Sequence, residues 1–320
     1  NIIDMEEKLR VDKSFDILVE AKKMGFSDKY IARLWECDEL DVYNMRKEMN
    51  LFPAFKMVDT CHTGAYIPYF YSSYSGDNSS VLTDKKKIVV LTGAGVSAES
   101  GVSTFRDSDG LWEQHKVEDV ASIEGWYRDP ALVLDFYNAR RAQLATVKPN
   151  AAHRSIAELE NEYDVTVVTQ NVDNLHERAG STRIIHLHGE LTKVRPENCC
   201  NAMDDYSEET VFDIGYDTIN IGDLAPNGAQ LRPHIVWFGE AVPYIEPAID
   251  HVMNADVFLI VGTSLQVYPA AGLYAYAKAD TPIYIVDPND VPVRDGRITH
   301  IKDVATNGME TFRKIACDLL

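Results

Sequence analysis

Residues 88–107 read IVVLTGAGVSAESGVSTFRD, and this stretch decides the fold. Its four apolar residues, Ile88 to Leu91, have the character of a strand buried on both faces, as in a parallel sheet. Gly93 and Gly95 follow at once. Glycines at such a point let the backbone turn sharply and approach a ligand with no Cβ between them. Ala94, Ala98 and Gly101 keep the next turns small. A strand, a Gly-x-Gly turn and a helix start together aim free backbone N–H groups at an anion, which makes a phosphate cradle. No Lys follows the glycines, so the loop is not a P-loop. A dehydrogenase needs a third glycine and an acidic strand end about 20 residues on. Here Ala98 stands in the third place, and residues 113–119 (EQHKVED) do not read as a strand end. The loop therefore reads as a dinucleotide site not built for hydride transfer. Phe105 and Arg106 add an aromatic ring and a cation to it.

The chain has 320 residues, which suits about two domains, and 45% apolar content, which suits a folded core. A net charge of −19 argues against a nucleic-acid groove; a solvated acidic surface is the preferred reading, and a basic, lysine-bearing partner the alternative. No apolar run is long enough to span a membrane. The first residues, NIIDMEEKLRVDK, lack the apolar core of a signal peptide. Five cysteines at irregular spacing point to reduced thiols and a cytoplasmic location.

The chain changes character near residue 80. Residues 14–49 are helical in pattern. Phe15, Leu18, Val19 and Ala21 lead into Gly25, a natural helix stop. Ser27 caps a second helix with Ile31 and Leu34 inward, and Asp38 or Asp41 caps a third. Residues 53–74 are aromatic and extended, and residues 75–80 (SGDNSS) read as a linker. From Asp84 onward strands alternate with helices. Strand-like runs fall at Val165–Thr169, Ile184–Leu187, Ile235–Phe238, Val257–Val261 and Ile283–Val286. Helical runs include Ala131–Ala145 and Ala151–Glu162. This is an α/β pattern, a doubly wound, Rossmann-like parallel sheet. Two insertions, about 108–150 and 190–232, form a smaller inserted domain. The expected division is a helical N-terminal domain and linker over 1–82 and the α/β domain over 83–320.

Several residues offer chemistry. His188 follows a strand and precedes Gly189, where a neutral imidazole can accept a proton near pH 7. A buried core histidine is the alternative, and it is the preferred reading for His153, His176 and His186. Gln170, Asn171 and Asp173 close a strand at its carboxyl end, where open α/β sheets place their ligands. Asn and Asp also favour plain turns. Gly262, Thr263 and Ser264 form a second strand exit of small residues, and Asp287 ends the strand after it. Tyr137 and Arg140 share one helix face at i and i+3. A phenol and a guanidinium side by side can bind a carboxylate, Arg through two parallel N–H bonds. An amphipathic helix with Tyr packed and Arg solvated is the alternative.

Taken in order, these segments resemble the signatures of the sirtuins, the NAD-dependent protein lysine deacylases. They are residues 93–107 (GAGVSAESGVSTFRD), 169–176 (TQNVDNLH), 186–190 (HLHGE), 233–240 (PHIVWFGE) and 261–265 (VGTSL). The resemblance covers about 85–320. Ser103 stands where the family has Pro. The resemblance implies that His188 and Asn171 act in catalysis. It implies NAD contacts from Gly93, Ala94, Gly95, Ala98, Phe105, Arg106, Gln170, Asn171, Asp173, Gly262, Thr263, Ser264 and Asp287. Acyl-lysine would enter along Val236, Phe238, Gly239 and Glu240. The Tyr137-x-x-Arg140 pair matches the branch that removes succinyl and malonyl groups, with Ala121 at the acyl channel wall. The implied products are free lysine, nicotinamide and acyl-ADP-ribose. Most sirtuins hold zinc with two Cys-x-x-Cys pairs after the His-x-His-Gly segment. Residues 190–232 hold only Cys199 and Cys200, so no zinc is expected. Apolar packing of Val211, Phe212, Ile214, Tyr216 and Ile219 would hold that insertion instead.

Residues 1–91 resemble a different family, the large chain of carbamoyl-phosphate synthetase, in its oligomerisation domain and the linker beyond. EAKKMGFSDKYIARLWE, FPAFKMVDTC and YIPYFYSSY carry this likeness. The chain reads as a fusion, with oligomerisation expected of its N-terminal segment. Two rival functions remain: mono-ADP-ribosyl transfer from the same NAD site, and a non-catalytic assembly module.

Overall fold

A computed structural model describes residues 2–58, 69–74, 85–102, 115–197, 210–293 and 295–318. The chain divides into two compact units, 1–84 and 85–320.

The first unit has four helices, α1 (Ile2–Val11), α2 (Phe15–Lys23), α3 (Asp28–Trp35) and α4 (Glu39–Glu48). Strands β1 (Ala54–Val58) and β2 (Tyr69–Ser73) pair antiparallel after them. Gly25 takes φ +90° and ends α2, and Ser27 Oγ accepts the Tyr30 N–H at the start of α3. Asp38 precedes α4, and its N–H donates to Asp41. Helix α1 was not anticipated, because only Met5 and Leu9 turn inward, one turn apart, to join Leu18, Ile31, Trp35 and Val42. Lys22 and Arg46 are both buried, and both pair with Asp28. A buried cation needs such a partner.

The second unit is built on β3 (Lys87–Thr92), which leads into the short α5 (Ala94–Ala98). Three helices follow after residue 114: α6 (Val117–Val120), α7 (Ile123–Arg128) and α8 (Pro130–Thr146). Asp129 starts α8, accepting the Leu132 N–H with Pro130 in the first helical position. Next come α9 (Ala151–Glu158), β4 (Asp164–Thr169), α10 (Leu175–Ala179) and β5 (Ile184–His186). A three-stranded antiparallel sheet follows, of β6 (Gly189–Pro196), β7 (Phe212–Asp213) and β8 (Leu231–Ile235). The chain closes with α11 (Ile245–Met253), β9 (Val257–Val261), β10 (Ile283–Val286), β11 (Ile298–Ile301) and α12 (Ala305–Asp318). The main sheet has the order β11-β10-β9-β3-β4-β5, and every pair in it is parallel. One face packs on α9 and α12 through Ile156, Val167 and Phe312, and the other packs on α11 through Val252, Phe258 and Ile260. Strand β3 is buried from Ile88 on, as its apolar run foretold. Among the described residues no helix is long and apolar enough to cross a membrane.

The two insertions share one core. Val120, Trp126, Val133 and Tyr137 from the first meet Leu191, Val194, Ile219 and Trp237 from the second and its exit. Three local expectations are corrected. The strand expected at Ile235–Phe238 ends at Ile235, because the Trp237 N–H turns in to donate to Glu240 (2.7 Å). The helix expected to Glu162 ends at Glu158 and tightens into a 3-10 turn over Leu159–Asn161. Within 211–219, Ile219 is buried and Phe212 and Ile214 pack beside it, but Tyr216 is 39% exposed. Cys199 and Cys200, the linker 75–80, and Phe105 and Arg106 lie outside the described residues.

Candidate active site

The chain leaves β3 for β4 on one side and later returns to β9 on the other. Such a reversal opens a crevice at the carboxyl ends of the strands, where doubly wound sheets bind ligands. Two glycine loops meet there. Gly95 N–H donates to Gly262 O (2.9 Å) and Gly93 N–H to Val261 O (3.1 Å). A Cβ on Gly95 would lie 2.8 Å from Gly262 Cα, and one on Gly93 would lie 2.6 Å from Thr263 Cβ. Gly262 is held at φ +62° and would strike Val96 N with any side chain. These glycines are thus required first by the contact between the loops. Ala94 and Ala98 stand exposed on α5, Ser264 is half-buried and Thr263 is buried.

The end of β4 fills the crevice floor. Gln170 Nε2 donates to Thr263 Oγ1 (3.1 Å), tying the second loop to it. Asn171 Nδ2 donates to Gly93 O and to Ser97 Oγ, both at 3.1 Å. Ser97 Oγ in turn donates to Asp173 Oδ2 (2.9 Å). Burial raises the Asp173 carboxyl above its ordinary range, against hydrogen bonds from Leu175 N–H and Ser97 that favour the anion. Asp287 is also buried, and its Oδ1 accepts the Asn289 N–H (2.9 Å).

Two histidines one residue apart are held differently. His186 Nδ1 donates to Asn171 O (3.0 Å) and Nε2 to Glu177 Oε1 (2.6 Å). Burial opposes the charged ring, but Glu177 outweighs it and raises the His186 pKa. His188 Nδ1 donates to Gln170 O (3.0 Å), and that carbonyl fixes the tautomer. Nε2 is then an acceptor with no hydrogen bond among the described residues. Burial lowers the His188 pKa, only partly offset by the Gln170 carbonyl, so the ring is neutral. Gly189 must follow: it has φ +82°, and a Cβ would lie 2.1 Å from His234 O. Glu177, His186 and Glu190 are the one grouping of metal-type side chains found among the described residues. They are already committed, Glu177 to His186 and Glu190 to Lys193 (2.7 Å).

A third cluster lies in the smaller domain. Tyr137 is 3% exposed, and Arg140 sits one turn along α8. Burial pushes the Tyr137 phenol up to about 12, against the pull of the Arg140 charge. Burial also lowers the Arg140 pKa, with Tyr137 and Asp173 acting to raise it. Trp237 Nε1 donates to Tyr137 Oη (2.9 Å). Beside them Phe238 is 52% exposed, and its N–H donates to Ala121 O (3.0 Å). Val236 N–H donates to His188 O (3.0 Å), so one chain segment touches both the histidine and the acyl-wall candidates. Gly239 is exposed at φ +92°. Glu240 turns inward instead, binding Arg232 at 2.8 Å and Arg195 at 3.4 Å.

Sequence reading did not single out Ser97, Trp237, Arg195 or Arg232. Ser97 lies inside the glycine segment and was hidden by it. Trp237 stands one residue from two candidates, and a tryptophan with a buried N–H needs an acceptor. No local pattern foretells that the acceptor lies on α8. The buried arginines carry no sequence signal at all.

The sequence model of the Sir2 family matches residues 93–269. That of the carbamoyl-phosphate synthetase large chain oligomerisation domain matches residues 1–50. An NAD-dependent protein deacylase of Bacteroides thetaiotaomicron is 54% identical over 233 residues, 72% of this chain and 97% of the relative. Another, from Helicobacter pylori, is 56% identical over 203 residues, covering 63% of this chain and 85% of its own. Among solved structures, a Sir2 homologue in complex with NAD is 37% identical, with a TM-score of 0.64, covering 74% of this chain and 92% of that one. A Sir2 protein bound to an acetylated peptide is 26% identical, with a TM-score of 0.59, covering 73% and 94%. With the glycine loops, the β4 exit and the paired histidines in place on a doubly wound sheet, the chain belongs to the Sir2 family.

Proposed function

We propose that residues 83–320 form an NAD-dependent protein-lysine deacylase domain, and that the acyl groups it removes include succinyl and malonyl as well as acetyl. The crevice fits NAD. We assign its lining to the two glycine loops, whose packing leaves no room for side chains, and to Gln170, Asn171, Asp173, Thr263, Ser264 and Asp287. Amides, hydroxyls and carboxylates suit ribose hydroxyls and a carboxamide, and the start of α5 suits phosphate. Phe105 and Arg106 are assigned to the same site on their place in the sequence. When bound, NAD supplies an electrophilic ribose carbon from which nicotinamide departs. Asn171 and Asp173 hold the ribose end, with Ser97 fixing both. His188 would accept a proton at Nε2 from a ribose hydroxyl, so that the acyl group could pass from lysine to the ribose. The peptide lies along Val236, Phe238 and Gly239, held by backbone bonds. Glu240 supports that segment from within through Arg195 and Arg232.

The observation that carries the acidic-acyl reading is Tyr137, inside the core that the two insertions share, with the half-buried Arg140 one turn along α8. A half-buried guanidinium and a neutral phenol that shares its core with Ala121 suit a carboxylate that has lost its water. Acetyl-, succinyl- and malonyl-lysine peptides compared side by side, with and without NAD, test this. NAD-dependent release of all three supports the reading. Acetyl release alone removes its acidic-acyl part, and ADP-ribosyl-protein without acyl-ADP-ribose favours mono-ADP-ribosyl transfer instead.

For the remainder, residues 1–82 act as a fused oligomerisation segment in a cytoplasmic protein. The small domain works without zinc, since two adjacent thiols cannot supply four ligands. Metal analysis of the purified protein checks this.

A further inference from the structure

We propose that Trp237 is a specificity-determining positioning residue: its indole N–H holds Tyr137 as a pure hydrogen-bond donor toward an acyl carboxylate. The proposal rests on the acidic-acyl reading above and extends it to a residue outside the Tyr-x-x-Arg pair.

A phenol hydroxyl can accept and donate, and its hydrogen has two favoured in-plane positions. Trp237 Nε1–H donates to Tyr137 Oη at 2.9 Å and so occupies one of these directions with a hydrogen. The tyrosine hydrogen is driven to the other. Tyr137 makes no other hydrogen bond among the described residues, so that hydrogen is buried and unspent. Burial keeps the phenol protonated, at about 12. An acetyl group offers its methyl to such a donor, whereas a succinyl carboxylate offers an acceptor. A free hydroxyl rotor would have to give up a competing orientation on binding, and a pre-set one does not.

The indole is itself fixed, which a positioning role requires. Arg232 lies over its ring, with Cζ 3.5 Å from the centroid. The backbone N–H of Trp237 donates to Glu240 Oε2 at 2.7 Å, which fixes the chain at the indole's root. Glu240 is pinned by Arg232 at 2.8 Å and by Arg195 at 3.4 Å, and both arginines are 1% exposed. Trp126 packs against it with ring centroids 5.6 Å apart and the planes tilted by 34°. Trp237 is 2% exposed and cannot turn away without breaking these contacts. The segment that carries the peptide strand thus also carries the atom that orients the acyl recogniser.

Two readouts test this. The Trp237 indole N–H resonance, assigned by its loss in Trp237→Phe, should move upfield and exchange faster in Tyr137→Phe, with no substrate present. A resonance that does not respond overturns the proposal. In steady-state kinetics on succinyl- and acetyl-lysine peptides, Trp237→Phe should lower the succinyl/acetyl ratio of kcat/KM by about 3- to 10-fold, chiefly through KM, the worth of one neutral hydrogen bond. Adding Trp237→Phe to Tyr137→Phe should lower that ratio no further. A ratio equal to the parent's, or losses that simply add, shows a packing role and overturns the proposal. If Trp237→Phe fails to fold, benzothienylalanine at position 237, which replaces the N–H by sulfur within nearly the same outline, makes the same comparison. A parent with no desuccinylation overturns the acidic-acyl reading together with this one. A parent that desuccinylates, loses it in Arg140→Met and keeps its ratio in Trp237→Phe overturns this inference alone.

Discussion

His188, half-buried, and Tyr137, buried, lie in different parts of the second unit, and desolvation does the same thing to both with opposite chemical results. Desolvation disfavours the charged form of either group. It lowers the imidazole pKa and raises the phenol pKa, so both stay neutral. A neighbour then fixes the polarity of what remains free. At His188 the Gln170 carbonyl takes the Nδ1 hydrogen and leaves Nε2 as an acceptor. At Tyr137 the Trp237 N–H takes a lone pair and leaves the hydroxyl as a donor. On the proposed reading one device yields a base and the other a recogniser, the base serving every acyl group and the recogniser only those that carry a carboxylate. Substitutions at the two places should therefore differ in kind as well as in size.

The largest effect belongs to His188→Ala. Loss of a general base costs about 10²- to 10⁴-fold. It should fall equally on acetyl, succinyl and malonyl peptides, with the melting temperature little changed. Activity within a few-fold of the parent would take His188 out of the base role. Arg140→Met comes next and should be selective. A charge-assisted bond contributes roughly 1.5–3 kcal/mol, so desuccinylation and demalonylation should fall about 10- to 100-fold while acetyl removal is spared. Tyr137→Phe should act in the same direction with a smaller effect. Equal loss on all three substrates in Arg140→Met would make Arg140 a structural residue and end the comparison.

A subtler difference should appear against pH. The base works when neutral. Its pKa lies below the usual 6.5, so activity should be lost on acidification only beneath that value. The recogniser works while protonated, and with its pKa near 12 it should not titrate in the working range. The succinyl/acetyl ratio should thus stay flat from about pH 7 to 10, while the common acid limb has a midpoint under 6.5. An acid limb at or above 6.5 would show that burial does not govern His188. Stability should respond in the same sense. His153 and His234 have folded pKa values depressed to about 4 and about 3 by burial. The unfolded chain therefore binds more protons, and stability falls as pH drops below about 6.5.

Much of this could be read from the sequence, where a local pattern expresses a local need. Ile88–Leu91 had to be a buried strand, and Gly93, Gly95 and Gly262 had to be free of side chains, though for contact between loops as much as for phosphate. The α/β order of the second unit followed from alternating runs. What stayed hidden depends on contacts distant in sequence. The Trp237–Tyr137 bond joins residues 100 positions apart, and the Ser97–Asp173 bond spans 76. Glu240 was read as a channel residue from its neighbours, yet its carboxylate faces two arginines in the core. Helix α1 escaped because two inward residues make too weak a period to see.

The smallest expected effect concerns the unit that holds neither group. Removing residues 1–82 should leave kcat and KM for every acyl peptide unchanged, measured per folded molecule. All the contacts described above for the crevice, the paired histidines and the Tyr137–Trp237 cluster arise within 85–320, which is compact on its own. The Sir2 match also begins beyond the cut, at residue 93. The cut must spare β3, whose residues pair with β4 on one side and β9 on the other. Removing that strand would leave two half-sheets with open edges and no crevice between them. A chain that begins at Thr83 and folds, yet loses much of its activity on all three peptides, would show that the first unit completes the site. Selective loss on succinyl and malonyl would instead place part of the acyl wall in residues 1–82, and the contrast between His188 and Tyr137 would have to be drawn across both units.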